Sequence, residues 1–188
     1  MTLRTKNPAL ILIDVQQAFL DHDYWGGGRN NPKAEQVCGK LLATWRELGL
    51  PRFHIRHSAS NPHSKLHASD AGFAFNEHVT PADDEPVIIK HVNSAFIGTD
   101  LSAQLDEQHI TTLVIVGITT NHCVSTTTRM AGNLGYDTYL ISDATAAFDR
   151  TGIHGERYSA ETIHLTSLAN LQEEFATVWD SDILLRAL

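Results

Sequence analysis

The hydrophobic positions of this chain form short runs that are separated by longer segments with helical spacing. These runs, rich in Val, Ile and Leu, are residues 9–15, 51–56, 86–90, 112–116, 138–141 and, less distinctly, 176–179. This alternation predicts an α/β fold. Several runs lack polar alternation, which is typical of strands that are covered on both faces. We therefore predict a Rossmann-like, three-layer α-β-α sandwich built around a parallel sheet.

Three longer segments are predicted to be helices. In residues 32–48 the apolar positions recur at the spacing of an amphipathic helix, and Gly49 suits the end of that helix. Residues 121–134 and 157–171 predict two more. Residues 58–84 are a long polar stretch instead, and such irregular stretches in compact domains are usually functional or disordered.

Length and charge narrow the classes of function. The chain has 188 residues, of which 42% are hydrophobic and 19% charged, so we expect a single domain over residues 1–188. The net charge of −8 comes from scattered acidic residues, which argues against a nucleic-acid partner. The apolar run at residues 9–13 is too short for a membrane span or a signal segment, so we expect no membrane association and a cytoplasmic location.

Three ionisable residues follow the ends of predicted strands. Asp14 follows the first run, Lys90 ends the third, and Cys123 follows the fourth after a short loop. In a parallel sheet, ligands bind outside the carboxyl ends of the strands. We therefore expect these side chains to face the same site, where each changes the proton affinity of the others.

The three residue types together suit nucleophilic catalysis. A neighbouring ammonium and a helix N-terminus both favour a thiolate, so we expect a lowered pKa for the Cys123 thiol. Asp14 would accept the thiol proton, and Lys90 would hold the thiolate. Backbone N–H groups of the turn from Thr119 to Cys123 are candidate donors to an oxyanion.

Each of these residues also has a structural interpretation. Asp14 could cap a following helix, with Gln17 three residues later as in a capping box. Lys90 could extend to solvent, and Cys123 could be a small buried apolar side chain. Only the joint placement of all three at strand ends favours a catalytic site.

Four ordered motifs carry a resemblance that covers nearly the whole chain. They are ALILIDVQQAF from residue 9, IKHVNSAFIGTDL from residue 89, VIVGITTNHCV from residue 114 and DTYLISDATAAF from residue 137. These motifs resemble those of the isochorismatase-like cysteine hydrolases, which include nicotinamidases and N-carbamoylsarcosine amidases. The resemblance implies a hydrolase of a small molecule with Asp14, Lys90 and Cys123 as its catalytic triad.

The resemblance implies further features of structure. Family members have a six-stranded parallel sheet between helices and a non-proline cis peptide, which would fall at Ile118-Thr119. Members commonly form dimers or larger homo-oligomers, and we expect the same here. We expect no cofactor.

The histidines of residues 54–67 depart from one branch of the family. Nicotinamidases carry an Asp-x-His pair after the second strand that binds a metal ion, whereas the equivalent stretch here, HIRHSA, has no carboxylate. The spacing of His54, His57, His63 and His67 fits no standard metal site. We expect no metal, and instead a surface or substrate-binding role for these histidines, with His57 in the substrate pocket.

The retained cysteine bears on the bond that is cleaved. Isochorismatases proper cleave an ether and can dispense with the cysteine, so Cys123 favours an amide or carbamoyl C–N bond and a thioester intermediate. Ether hydrolysis and a catalytically silent binding protein are the alternatives. A nucleotide-binding or redox domain is disfavoured, because no G-x-G-x-x-G motif follows the first strand and no P-loop or C-x-x-C motif is present.

Four further side chains are candidates for the wall of a substrate pocket. Phe19, Trp25 and Phe96 follow strand ends by a few residues and could enclose a small planar or apolar substrate. Phe19 and Phe96 could equally belong to the core. Asn93 is a candidate for a polar contact.

Overall fold

The computed structural model describes residues 2–188 and contains a central sheet of six parallel strands. These strands are β1 (Ala9–Ile13), β2 (Arg52–His57), β3 (Val87–Lys90), β4 (Thr112–Ile118), β5 (Asp137–Ala146) and β8 (Thr177–Trp179). Across the sheet the order is β3-β2-β1-β4-β5-β8. The predicted parallel sheet is thus confirmed, and the strand order reverses direction between β1 and β4, where α/β sheets bind ligands.

Six α-helices and a short hairpin complete the fold. The helices are α1 (His22–Trp25), α2 (Ala34–Leu48), α3 (Leu101–Glu107), α4 (Ser125–Asn133), α5 (Ala160–Ala169) and α6 (Ser181–Ala187). The hairpin pairs β6 (Arg150–Thr151) with β7 (Arg157–Tyr158). Helix α2 ends at Gly49, whose φ of 66° is left-handed, as the sequence predicts.

Alternate residues of the central strands point into two apolar layers. Leu10 and Leu12 of β1 pack with α2 and α6, whereas Ile11 and Ile13 pack on the opposite face with α3, α4 and α5. All seven residues of β4 are buried. The three-layer α-β-α arrangement that the sequence predicts is therefore confirmed.

The edge of the sheet differs from the predicted pattern. Strand β3 pairs only with β2, and Val87 and Ile89 are 42% and 44% exposed, so this strand is not covered on both faces. Strand β5 continues past the predicted run at residues 138–141. Its polar continuation is held from outside the sheet, because the side-chain amide of Asn31 donates to the carbonyls of Ser142 and Thr145.

The polar stretch at residues 58–84 is folded over the carboxyl ends of the strands. Gln16, just after β1, fixes it: its side-chain amide donates to the carbonyls of Phe73 and His57 at 2.9 and 3.2 Å, and its oxygen accepts from His57 N. The stretch includes two short 3₁₀ turns, Ala71–Phe73 and Glu77–Val79. Among residues 2–188, no helix has the length and apolar character needed to cross a membrane.

Candidate active site

The Lys90 ammonium contacts the side chains of both Asp14 and Cys123, the other two ionisable residues that follow strand ends. Its Nζ lies 2.7 Å from Asp14 Oδ2 and 3.2 Å from Cys123 Sγ. It also contacts His57 Nδ1 at 3.1 Å and donates to Val92 O at 3.2 Å. Asp14 and Lys90 are fully buried, whereas Cys123 is half-buried. The structure therefore brings the acid, the cation and the thiol together at the carboxyl ends of the strands.

The position of Asp14 rules out the capping interpretation. Its backbone is left-handed, with φ of 51°, and its N–H donates to Ile55 O on β2. The next turn, Gln17–Leu20, has Gln16 rather than Asp14 at its N-cap. The carboxylate thus faces Lys90. Lys90 itself does not extend to solvent, because its side chain is 0% exposed.

The turn that carries the thiol is preceded by a backbone conformation that only glycine can adopt. Gly117, in β4, has φ of 129°, and a Cβ there would collide with the carbonyl of Ile13 on β1. The Ile118-Thr119 peptide that follows is cis. A π-helical turn, Thr120–Val124, then leads into α4. Within that turn, the N–H groups of His122 and Val124 both donate to Thr119 O.

The predicted direction of the thiol pKa is wrong. Burial and the Asp14 carboxylate raise the pKa of the Cys123 thiol to about 12, and the nearby Lys90 ammonium offsets only part of that rise. The ammonium and the helix terminus can be inferred from the sequence, whereas the loss of water around the sulfur depends on the folded structure. At neutral pH the resting site therefore holds a protonated thiol, and a base is needed to remove the proton.

One oxygen of Asp14 is suited to be that base. Oδ2 accepts from Lys90, but Oδ1 is buried and has no hydrogen-bond partner among the residues that the structure describes. A carboxylate oxygen of Asp14 lies within 4.8 Å of Sγ. The arrangement can thus transfer a proton from sulfur to Asp14 while Lys90 compensates the charge.

Cys123 opens into a cavity of about 260 Å³ at the carboxyl ends of the strands, here called the strand-end cavity. Phe19, Trp25 and Leu66 form its apolar side. The rings of Phe19 and Trp25 lie 4.7 Å apart, and Trp25 Nε1 donates to Ala18 O, which fixes the indole. Both predicted aromatic residues therefore line the cavity, although Phe19 is also packed into a small apolar cluster.

The opposite side of the strand-end cavity is polar. His57, Asn93, Thr119 and His122 line it together with Cys123. Burial, and then the positive charge of Lys90, lower the pKa of His57; burial, and then the charge of Arg150, lower that of His122. Both imidazoles are therefore neutral at pH 7. His57 and Asn93, which the sequence analysis expects in a substrate pocket, both line this cavity.

Two of the aromatic and histidine predictions are wrong. Phe96 is not among the residues lining the cavity; its ring stacks on Tyr136 at 5.7 Å, and it packs against the core. His54 has neither a surface nor a substrate-binding role, because it is fully buried on β2 with Nε2 2.8 Å from Glu85. His63 is exposed, and His67 contacts Ser69. Neither of these two lines the strand-end cavity.

Asp14, His57 and Cys123 each offer a ligand atom within 4.8 Å of the others, which is a distance at which a metal ion could be held. The Lys90 ammonium, however, contacts all three side chains. A metal ion would have to displace this buried cation or lie beside it, and like charges repel strongly at such distances. These residues fit an ammonium better than a metal.

Three residues at or behind the site were not predicted. Leu66 reaches the cavity from the polar stretch, and Thr120, in the turn before Cys123, has its hydroxyl 2.9 Å from Nδ1 of the buried His164 on α5. His164 is 44 residues from Thr120 in the sequence. No local pattern indicates a contact over such a separation.

Comparisons with known proteins agree with this architecture. The family model of the isochorismatase domain matches residues 8–183. The isochorismatase family protein YrdC of Bacillus subtilis is 54% identical over 94% of both chains, and Nicotinamidase 3 of Arabidopsis thaliana is 26% identical over 98% of this chain and 90% of its own. A crystal structure of an isochorismatase-family protein from Chromobacterium violaceum is 45% identical, with a TM-score of 0.94 over 100% of this chain and 96% of that one.

Proposed function

Since the chain belongs to the isochorismatase family of hydrolases, we propose that it is a cysteine-dependent hydrolase that cleaves an amide or carbamoyl C–N bond of a small molecule. The observation that carries the proposal is the Lys90 ammonium, which contacts both Asp14 Oδ2 and Cys123 Sγ at the wall of the strand-end cavity. The similarity to a nicotinamidase, named for an amide substrate, supports a C–N bond. The retained thiol favours acyl transfer over ether cleavage.

In the first half of the reaction the thiol proton moves to Asp14 as the sulfur attacks the carbonyl carbon. Because the pKa of the resting thiol is about 12, proton removal accompanies attack rather than preceding it. The carbonyl π electrons move to oxygen, and the backbone N–H groups of Thr119 and Cys123 are the proposed donors to this oxyanion. When the oxyanion collapses, the C–N bond breaks, and the nitrogen leaves with the proton held by Asp14.

In the second half water replaces the amine. Asp14, again a carboxylate, accepts a proton from a water molecule while the oxygen of that water attacks the thioester carbon. The C–S bond then breaks, the sulfur regains a proton from Asp14, and a carboxylic or carbamic acid leaves. Lys90 neutralises Asp14 in the resting state and the sulfur during attack.

An ammonia-release screen over small amides, including nicotinamide and N-carbamoyl compounds, tests this proposal. Cys123→Ala should lower hydrolysis at least about a thousandfold, because it removes the nucleophile. Cys38→Ala is the matched control: Cys38 is buried among α2 and β5, with Sγ 3.3 Å from Ala144 O, away from the cavity. Mass spectrometry of wild-type protein quenched during turnover should show an acyl group on Cys123. Undiminished hydrolysis by Cys123→Ala would contradict the mechanism.

A further inference from the structure

Thr119 lies on the wall of the strand-end cavity beside the nucleophile. It lines the cavity together with Cys123 and is 5% exposed. Its carbonyl is turned into the following turn, where it accepts from the N–H groups of His122 and Val124 at 3.1 and 3.3 Å. Its own N–H makes no backbone hydrogen bond among residues 2–188. The two groups of Thr119 that remain for a ligand are therefore its N–H and its hydroxyl.

The ring of His122 determines whether the Thr119 hydroxyl accepts or donates. Nε2 of the ring lies 3.1 Å from Nδ2 of Asn121, and Nδ1 lies 3.1 Å from Thr119 Oγ1. An amide nitrogen only donates hydrogen bonds, so Nε2 must offer its lone pair. The neutral ring then carries its hydrogen on Nδ1 and donates it to Thr119 Oγ1. The lowered pKa of His122, caused by burial and then by Arg150, agrees with a neutral ring.

These contacts leave the hydrogen of the Thr119 hydroxyl available. A hydroxyl has one hydrogen and two lone pairs, so an oxygen that accepts from His122 keeps its own hydrogen for another partner. Among residues 2–188, Oγ1 of Thr119 has no hydrogen-bond partner other than His122. A donor that is already oriented does not have to reorganise when negative charge develops nearby. The cavity wall thus presents a hydroxyl donor on the residue whose N–H is a proposed oxyanion donor.

We propose that the Thr119 hydroxyl is a catalytic donor to the substrate carbonyl oxygen as it becomes an oxyanion, and that His122 is a positioning residue that keeps the hydroxyl in this role. The inference rests on the proposed acyl transfer to Cys123. The Thr119 nitrogen and Oγ1 are attached to neighbouring carbons, so both can donate to one oxygen. The hydroxyl keeps its proton throughout: the thiol proton moves to Asp14, and the carbonyl π electrons move to oxygen and return when the oxyanion collapses.

Two reactions of the same sulfur separate an oxyanion donor from a structural residue. Acylation of Cys123 by 4-nitrophenyl acetate passes through a tetrahedral oxyanion, and the released 4-nitrophenolate is measured by its absorbance. Alkylation by iodoacetamide displaces iodide from a saturated carbon and forms no oxyanion. Both reactions use the Cys123 sulfur as nucleophile, so the ratio of their rates at one pH reports what stabilises the carbonyl oxygen.

Thr119→Val removes the hydroxyl and keeps a side chain of nearly the same shape. Acylation should fall about a hundredfold, as for the loss of one oxyanion donor, whereas alkylation should stay within about twofold of wild type. Thr119→Ser keeps the hydroxyl and should lose less than about fivefold in acylation. Thr44→Val is the matched control, because the Thr44 hydroxyl donates to Lys40 O on α2, and it should change neither rate.

Two variants of His122 test its positioning role. His122→Leu offers no donor to Thr119 Oγ1, so the hydroxyl is free to turn away from the substrate. Acylation should fall about tenfold, as one hydrogen bond allows, with alkylation within about twofold of wild type. The side-chain N–H of asparagine can take the place of the Nδ1–H group, so His122→Asn should recover most of the acylation rate.

The outcomes distinguish this inference from the proposed function. Undiminished acylation of Thr119→Val, or equal losses of acylation and alkylation, would overturn the catalytic role of the hydroxyl. Undiminished acylation of His122→Leu would overturn the positioning role of His122. If the ester acylates Cys123 and this step depends on the Thr119 hydroxyl, but no amide is hydrolysed, the proposed amide hydrolysis fails and the inference stands.

Discussion

Lys90 and Asp14 form an ion pair with Nζ 2.7 Å from Oδ2, and neither side chain is more than 1% exposed. The two residues are 76 positions apart in the sequence and come from different strand ends. A buried charge of this kind is strongly destabilising when its partner is removed. Both members of the pair also act on the pKa of Cys123, which Asp14 raises and Lys90 lowers. A change in either residue should therefore alter both the stability of the fold and the reactivity of the thiol.

Asp14→Asn should separate thiol reactivity from hydrolysis. The Asp14 charge raises the pKa of Cys123, so its removal should lower that pKa and speed alkylation by iodoacetamide at pH 8, by about tenfold for each unit. Amide hydrolysis should fall about a thousandfold, because the base is lost. Asparagine tolerates the left-handed backbone at this position, so the fold should persist. Asp23→Asn, at an exposed site, is the control. Slower alkylation in Asp14→Asn would contradict the charge assignment.

Lys90→Met should have the opposite effect on the thiol. Lys90 lowers the pKa of Cys123, so its loss should raise that pKa further and slow alkylation across the alkaline range. Stability should fall by about 3–5 kcal/mol, because the Asp14 carboxylate stays buried without a cation. Urea unfolding measures this loss, and the double variant with Asp14→Asn should regain part of it. Equal stability of Lys90→Met and wild type would show that the pair is not held as described.

Glu85 should govern stability in acid. Burial alone would raise its pKa, but hydrogen bonds from Arg46, Arg52 and His54 outweigh burial and hold it well below the usual value. A lowered carboxyl pKa stabilises the fold above the unfolded value, near 4.5, and this contribution is lost as pH falls below it. The free energy of unfolding should therefore begin to drop below about pH 5 and keep falling as the solution becomes more acidic.

Glu85→Gln should remove most of that pH dependence and cost about 3 kcal/mol at pH 7. Glu47→Gln, an exposed position on α2, should do neither. Urea titrations at several pH values compare the three proteins. The same acid slope in Glu85→Gln and wild type would assign the acid sensitivity to other groups.

Gly117→Ala should destabilise far more than the same change at Gly135. Both glycines have positive φ, of 129° and 87°, but a Cβ at Gly135 meets nothing within 4 Å, whereas at Gly117 it meets the backbone of Ile13. We expect a loss of about 1 kcal/mol for Gly135→Ala and of more than about 4 kcal/mol for Gly117→Ala. Urea unfolding of both variants is the measurement. Similar losses would mean that β1 and β4 can separate at this point.

The clustering of Asp14, Lys90 and Cys123 could be predicted because it depends on topology alone. Once the runs at residues 9–15, 86–90 and 112–116 are taken as parallel strands, their carboxyl ends must lie at one edge. This places Asp14, Lys90 and Cys123 together without knowledge of any side-chain contact. Strand order was not needed, since all strands of such a sheet point the same way. Association into homo-oligomers stays a prediction, which size-exclusion chromatography with light scattering can measure.

Other features depend on contacts that no local pattern encodes. The sequence favours a surface or substrate-binding role for His54, but its partner, Glu85, is 31 residues away and is recognised only once β2 and β3 are paired. Phe96 follows a strand end as Trp25 does, yet it stacks on Tyr136. The pKa of Cys123 was mispredicted for a related reason: burial of an atom is a property of the whole fold.

The raised pKa of Cys123 also determines how the protein withstands oxidants. A thiol whose pKa is raised this far by burial and by the Asp14 carboxylate is almost wholly protonated at pH 7. Hydrogen peroxide attacks the thiolate and converts it to sulfenic acid, so the resting nucleophile should resist this damage. In the unfolded chain the same sulfur returns to an ordinary thiol pKa and loses that protection. Folding thus shields the one atom that the proposed chemistry consumes and regenerates in every cycle.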